Sequence, residues 1–418
     1  MQRRLFFKWL MLLLVVMGSG AVAYAFADWG SPVTVNSQNP RQNSLSTAMV
    51  DGRPAVSYGY FVTSSSYGLR YIRADNVDGS SWGTPVDVYL NETVVDETSL
   101  EVVDGNPAIA FRHEVADELQ FVRANDAQGD SWGVPITLAS LGANGGYLSL
   151  AIVNGNPAIS YYIEGSGLWY MRANDAQGSS WGAAVQVDAG GNTGYTDMIV
   201  VNGNPAIAYR NSAQQTAYKR ALDINGTSWP AGTVLIDNRT AQGVFLSLAI
   251  VNNFPAISYY NSLMLNYTRA NDINGDSWGS YQVLGSTVGY GNTLIVNDAN
   301  NPIIAYHGSD GVYYRESSDI NGSSWLPSEM AASSFGVSKG PGLLMVTGQP
   351  AVAYYNSSTS SIMYIRAGEP SAVTIDQMQT SRSWPVTAPV LVCLLALLTI
   401  IVVGARLKVG NESYNKVV

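Results

Sequence analysis

The chain has 418 residues, 46% of them hydrophobic and 13% charged, with a net charge of −9 at pH 7. With 22 Lys and Arg against 31 Asp and Glu, it is not built to neutralise phosphates, which excludes nucleic acid as a partner. Its single cysteine, Cys393, excludes a disulfide framework, so an exported domain here must be held by its core.

The N-terminus has the form of a secretory signal, expected to span 1–27. Arg3, Arg4 and Lys8 supply the positive start, residues 10–16 the apolar stretch, and Ala25-Phe26-Ala27 the small-x-small cleavage site. Seven tryptophans then recur at intervals of 47 to 53 residues: Trp29, Trp82, Trp132, Trp181, Trp229, Trp278 and Trp325. Seven prolines keep the same beat, at Pro54, Pro107, Pro157, Pro205, Pro255, Pro302 and Pro350. A fixed period of this length signals a repeat architecture.

Within one unit, four short runs rich in Val, Ile, Leu and Tyr are separated by turn residues, which predicts four strands, a to d. In the third unit the a–b turn is Asn154-Gly155-Asn156, a sequence suited to a tight hairpin because it tolerates positive φ. The proline opens strand b, where a missing N–H does least harm. The c–d turn follows the pattern Asp-x-Asn/Gln-Gly-x-Ser-Trp, as in Asp175 to Trp181. Four-stranded antiparallel units of this size point to a β-propeller. The seventh unit ends at Ile365-Arg366-Ala367 without a final turn and strand d, and Asp28-Trp29-Gly30-Ser31-Pro32-Val33 supplies that piece. The expectation is an all-β, seven-bladed β-propeller over 28–367, closed by its N-terminal strand.

After a linker at 368–384, an uncharged run at 386–405 is long enough to cross a bilayer as a helix. Trp384 precedes it and Arg406 and Lys408 follow it, which places the 406–418 tail inside by the positive-inside rule. The expected organisation is a single-pass protein with a transmembrane helix at 385–405 and its propeller outside the cytoplasm.

The unit resembles the propeller repeats of bacterial exported proteins, and its c–d turn is similar to the Asp-box of sialidase-type propellers, with one extra residue between Asp and Gly. The resemblance covers 28–367 and implies a bacterial cell-surface location. It also implies that the Asp caps the hairpin and the seven Trp pack between sheets as scaffold. Sialidase-type enzymes use an arginine cluster, but Arg73, Arg123, Arg172, Arg220, Arg269 and Arg366 share one slot of strand c in six blades. They are therefore spread around the ring, and their expected role is to pair with the Asp of the adjacent turn, as Arg172 with Asp175. Glu316 takes that slot in blade six, most simply by drift. The Asp272 and Asp126 turns resemble fragments of a calcium loop, but an Asx-stabilised hairpin explains the same residues, so no metal is assigned and calcium stays an alternative.

Function is sought where the blades differ. The a–b and c–d turns are expected on one face, and the variable b–c and d–a loops on the other. On that variable face the candidate ligand-binding residues are Arg112, His113, Tyr162, Arg210, Tyr260, His307 and Tyr355. Strand a opens with further rings at Tyr147, Tyr195, Phe245 and Tyr290. One Tyr of each strand-b pair is expected to be a packing shim. The leading expectation is a membrane-anchored extracytoplasmic binding propeller for a glycan or protein ligand, with no catalytic residues assigned. The alternatives are a glycan-cleaving hydrolase and a structural cell-surface or adhesion module. Carboxyl groups about 5 to 10 Å apart over the funnel are the mark of the hydrolase.

Overall fold

The computed structural model describes residues 27–368, apart from 43, 64–66, 91–94, 191–193, 241–243, 287–290 and 334–339. The expected signal, linker, membrane span and tail therefore lie outside the described residues, save Ala27 and Gly368. Among the described residues no helix is long and apolar enough to cross a membrane.

Among the described residues twenty-eight strands form seven antiparallel sheets of four. Six sheets take their strands in chain order; the seventh joins Val33–Asn36 to the edge of Ser361–Arg366. Trp29 bridges Ala367, and Gly368 donates its N–H to the Asp28 carbonyl at 2.7 Å. The seven-bladed ring closed by its first strand is thus the observed architecture.

Blade three shows why the sequence folds this way. Strands a (Gly146–Val153) and b (Asn156–Ile163) meet at Asn154 and Gly155, whose φ values of 45° and 79° are those of a hairpin turn that matches strand twist. Strands c (Gly167–Arg172) and d (Val185–Asp188) are joined by the Asp-box. In the Asp126 box the carboxylate accepts N–H bonds from Gln128, Gly129, Asp130 and Ser131 and the Ser131 hydroxyl. Burial pushes its pKa upward, but these donors outweigh it and hold the carboxyl below its usual range. Both oxygens are occupied by the hairpin itself, and among the described residues no group of three or more metal-ligating side chains is gathered.

The Trp of each blade packs on the strand-c ring of the preceding blade. The seven pairs are Trp82–Tyr364, Trp132–Tyr71, Trp181–Phe121, Trp229–Tyr170, Trp278–Tyr218, Trp325–Tyr267 and Trp29–Tyr314, with centroids 5.0 to 5.5 Å apart and edge-on. Edge-to-face contacts add about 0.5–1.5 kcal/mol each beyond area burial. The box glycine makes this possible: at Gly322 an added Cβ would lie 2.5 Å from the Tyr267 ring, at a φ of +72°. Tyr71, Tyr170, Tyr218, Tyr267 and Tyr364 each donate a hydroxyl to a box carbonyl of the next blade.

Two expectations are corrected. The strand-c arginines do not pair with the adjacent box Asp. Arg172 donates Nε to the Val153 carbonyl and Nη2 to the Asn154 carbonyl, fastening the a–b hairpin of its own blade, and the slot behaves alike in the other five. Glu316 is not drift. Blade seven has no box for Tyr314 to reach, and Glu316 accepts that hydroxyl at 3.1 Å and the Asn297 amide at 2.7 Å. The break in the arginine pattern thus falls in the blade that precedes the ring closure, and Glu316 has partners of its own there.

Candidate functional site

The strand-a register aligns one residue per blade: Ser46, Ser99, Ser149, Asp197, Ser247, Thr293 and Gly342. The serines form a belt. Ser46 accepts the N–H of Leu100, Ser99 that of Leu150, Ser149 that of Met198 and Ser247 that of Leu294, each at 3.0 to 3.1 Å. Asp197 does the same work in blade four, accepting the Leu248 N–H at 2.7 Å and the Ser149 hydroxyl at 3.2 Å. It is the one carboxylate of the belt. Asp197 is half-buried on the channel wall, and its partial removal from water disfavours its charge and raises its pKa to about 6, more than these two donors lower it.

Two residues above the belt, one rung of about 7 Å nearer the variable face, strand a carries Ser44, Glu97, Tyr147, Tyr195, Phe245, Gly291 and Gly340. Tyr147, Tyr195 and Phe245 have φ values of 51°, 54° and 53°, left-handed conformations that cost a bulky residue about 1–2 kcal/mol each. They arise at bulges where the a–b register slips, between Gly146 and Ser149, Gly194 and Thr196, and Val244 and Ser247. Their rings form a continuous arc, Tyr147 to Tyr195 at 4.5 Å and Tyr195 to Phe245 at 5.0 Å. The arc lines a recess that Gly291 and Asn292 of the next blade complete. The left-handed position recurs at Gly291 and Gly340, with φ of 84° and 76°, so the conformation belongs to the repeat and what sets blades three to five apart is an aromatic side chain where a glycine would be unstrained.

Glu97 is buried beside this arc and accepts the Leu148 N–H at 3.3 Å. Asp197 accepts the hydroxyl of Ser149, the next residue of the same strand. The two carboxylates therefore contact consecutive residues of strand a of blade three. Below them a channel of about 690 Å³, lined by all seven blades, carries Asp197 and a third acid, Glu101. Burial also raises the Glu101 pKa.

Six of the residues expected on the variable face share one register position of strand b. Arg112, Tyr162, Arg210, Tyr260, His307 and Tyr355 each stand two positions past the strand-b partner of the belt residue, so blades two to seven place them on one rung around the mouth. Blade one has Gly59 there. Arg112, Tyr162, Tyr260 and His307 are buried, and Arg210 and Tyr355 half-buried. Arg112 is held by Asp117 at 3.1 Å and the Ala143 carbonyl at 2.6 Å. Burial lowers the His307 pKa to about 4, so its imidazole is neutral near pH 7. His113 stands one residue off the rung, where Nδ1 accepts the Ala116 N–H at 3.0 Å and orders the b–c turn. The shims are Tyr58, Phe111, Tyr161, Tyr209, Tyr259, Tyr306 and Tyr354, all 2% exposed or less. Tyr290 lies outside the described residues.

Glu97, Asp197 and Glu101 were not singled out in the sequence. The signal was there in the alignment of strand a: at the belt position, four serines and a threonine accompany one aspartate.

No family model matches the chain, and no curated protein matches it. Among solved structures it is similar to an α-L-arabinanase of Penicillium chrysogenum complexed with arabinobiose, with a TM-score of 0.51 and 11% identity over 83% of this chain and 99% of that one. It is also similar to the α-L-arabinofuranosidase arb93a of Fusarium graminearum, with a TM-score of 0.53 and 10% identity over 82% and 99%. A third, BBS1N in complex with ARL6DN, has a TM-score of 0.53 and 8% identity over 82% and 98%. At these identities the likeness is one of fold, and the fold it establishes is the all-β propeller.

Proposed function

We propose that the protein is a glycan-cleaving propeller, exported and held at the cell surface by its C-terminal segment, that works at the mouth of its channel on the variable face. The observation that carries the reading is Asp197, a carboxyl tuned to about 6 in a belt that otherwise uses neutral residues, with Glu97 bonded to the residue next to its partner Ser149. A carboxyl that keeps its proton near neutral pH can donate it to a glycosidic oxygen, and hydrolysis needs a second carboxyl group to activate water on the other face of the sugar. The aromatic arc supplies a platform on which a sugar ring can stack. Two of the solved propellers that the chain resembles in fold act on arabinose-containing glycans, which supports cleavage over binding alone.

The test is release of reducing ends from a panel of plant and bacterial polysaccharides by the full-length protein and its Asp197→Ser and Glu97→Gln variants. Serine is the belt's own residue and keeps the hydrogen bond to Leu248, so loss of activity in Asp197→Ser reports chemistry rather than misfolding. Turnover that survives in both variants would rule the assignment out. Sugar binding without release in the wild type returns the protein to a binding module, the reading that the arc alone supports.

A further inference from the structure

Arg210 is unlike every other cation among the described residues. Arg112, on the same rung, is ion-paired to Asp117; Arg41, Arg70, Arg73, Arg123 and Arg239 also have carboxylate partners. Arg53, Arg172, Arg220, Arg269, Arg315 and Arg366 donate to carbonyls, as does Lys219. The Arg210 side chain has neither a hydrogen bond nor an ion pair; its Nε is buried without a partner, as is that of Arg112, but Arg112 has acceptors for its other nitrogens. In an acidic chain, where carboxylates outnumber cations, an unpaired guanidinium at a half-buried site is an unfavourable arrangement. Its position gives it a use. Arg210 is paired through the backbone with Gly194, next to Tyr195 in the aromatic arc, and its charge is felt by the Tyr147 and Tyr195 hydroxyls.

We propose that Arg210 receives the anionic group, carboxylate or sulfate, of an acidic sugar unit stacked on Tyr195 and Phe245. A guanidinium fork matches either group with two parallel N–H bonds. The bound anion pairs with a guanidinium for which the free protein shows no acceptor. The inference rests on the glycan reading above and narrows it from glycans in general to acidic ones.

The experiment is calorimetric titration of the full-length Asp197→Ser protein, so that no substrate is consumed, with trigalacturonate, a sulfated galactotriose and neutral galactotriose at low salt. At least one anionic sugar is expected to bind about tenfold or more tightly than the neutral one, the scale of a charge-assisted bond, and Arg210→Gln is expected to erase that preference while keeping the neutral affinity. Arg210→Lys, which keeps charge and loses the fork, is expected to retain only part of it. Equal affinity for anionic and neutral sugars, or a preference untouched by Arg210→Gln, overturns this inference and leaves cleavage standing. A charge preference in a wild-type protein that releases no sugar overturns cleavage and leaves this inference standing. Binding of no sugar of any kind overturns both. Removal of an uncompensated charge is not expected to unfold the ring, and an unchanged or raised melting temperature of Arg210→Gln confirms that its binding data report a folded protein.

Discussion

Replacing Asp197 by serine is expected to change how stability depends on pH. In the folded chain its carboxyl titrates near 6, against 3.8 for the ordinary residue. Between these values the folded state holds a proton that the unfolded chain has released, so this group's contribution falls as pH rises from about 4 to 6 and stays low above. At 1.36 kcal/mol per pKa unit, ionised Asp197 costs the fold about 3 kcal/mol at pH 7.5 and about 1 kcal/mol at pH 4.5. The quantity to measure is the gap in urea unfolding free energy between wild type and Asp197→Ser, followed by tryptophan fluorescence at both pH values. Other titrating groups, including His307 with its opposite sign, are common to both proteins and cancel. The gap is expected to move by about 2 kcal/mol in favour of the variant at the higher pH. A gap independent of pH refutes the reasoning, because it means that Asp197 is ionised as easily in the channel as in water.

Other perturbations test neighbouring parts of the account. Glu316→Arg, which restores the slot's common residue, is expected to destabilise by about 1–3 kcal/mol in urea unfolding, since the Tyr314 hydroxyl and Asn297 amide lose their acceptor; a neutral effect would return Glu316 to drift. The chain has two histidines, so His307 can be followed alone by NMR, with His113→Gln providing the assignment. Its imidazole is expected to stay neutral down to about pH 4, and a midpoint near 6.5 would show that the mouth is wetter than the structure indicates. Trp181→Ala is expected to cost roughly 3–5 kcal/mol, because it removes the ring that seals blade three against Phe121.

Much of this fold was legible in the chain because its physics is local and repeated. Asn154-Gly155 specifies a hairpin within four residues, the Asp175 box closes its own turn, and the match between Trp29 and the truncated seventh unit encodes ring closure. The strand-c arginines were misassigned because a long side chain chooses among partners that sequence distance cannot rank. Arg172 lies three residues from Asp175, yet the pairing of strands b and c carries it to carbonyls at the end of strand a. On the face expected to be variable, depth was hidden. Arg112 and His307 are variable among blades and buried all the same, while Glu97 and Asp197 sit inside strands that read as scaffold. Side chains on an inner strand meet across blades about fifty residues apart, and only the register shows that a carboxylate has replaced a serine there.

The most direct test of the central claim is sugar release by the wild-type protein from an acidic and a neutral polysaccharide, compared with Asp197→Ser, across pH 4 to 8. The account predicts product from the wild type, an activity that falls on the alkaline side with a midpoint near the Asp197 value of about 6, and none above background from the variant. Equal product from wild type and Asp197→Ser, or none from either on any glycan, contradicts it.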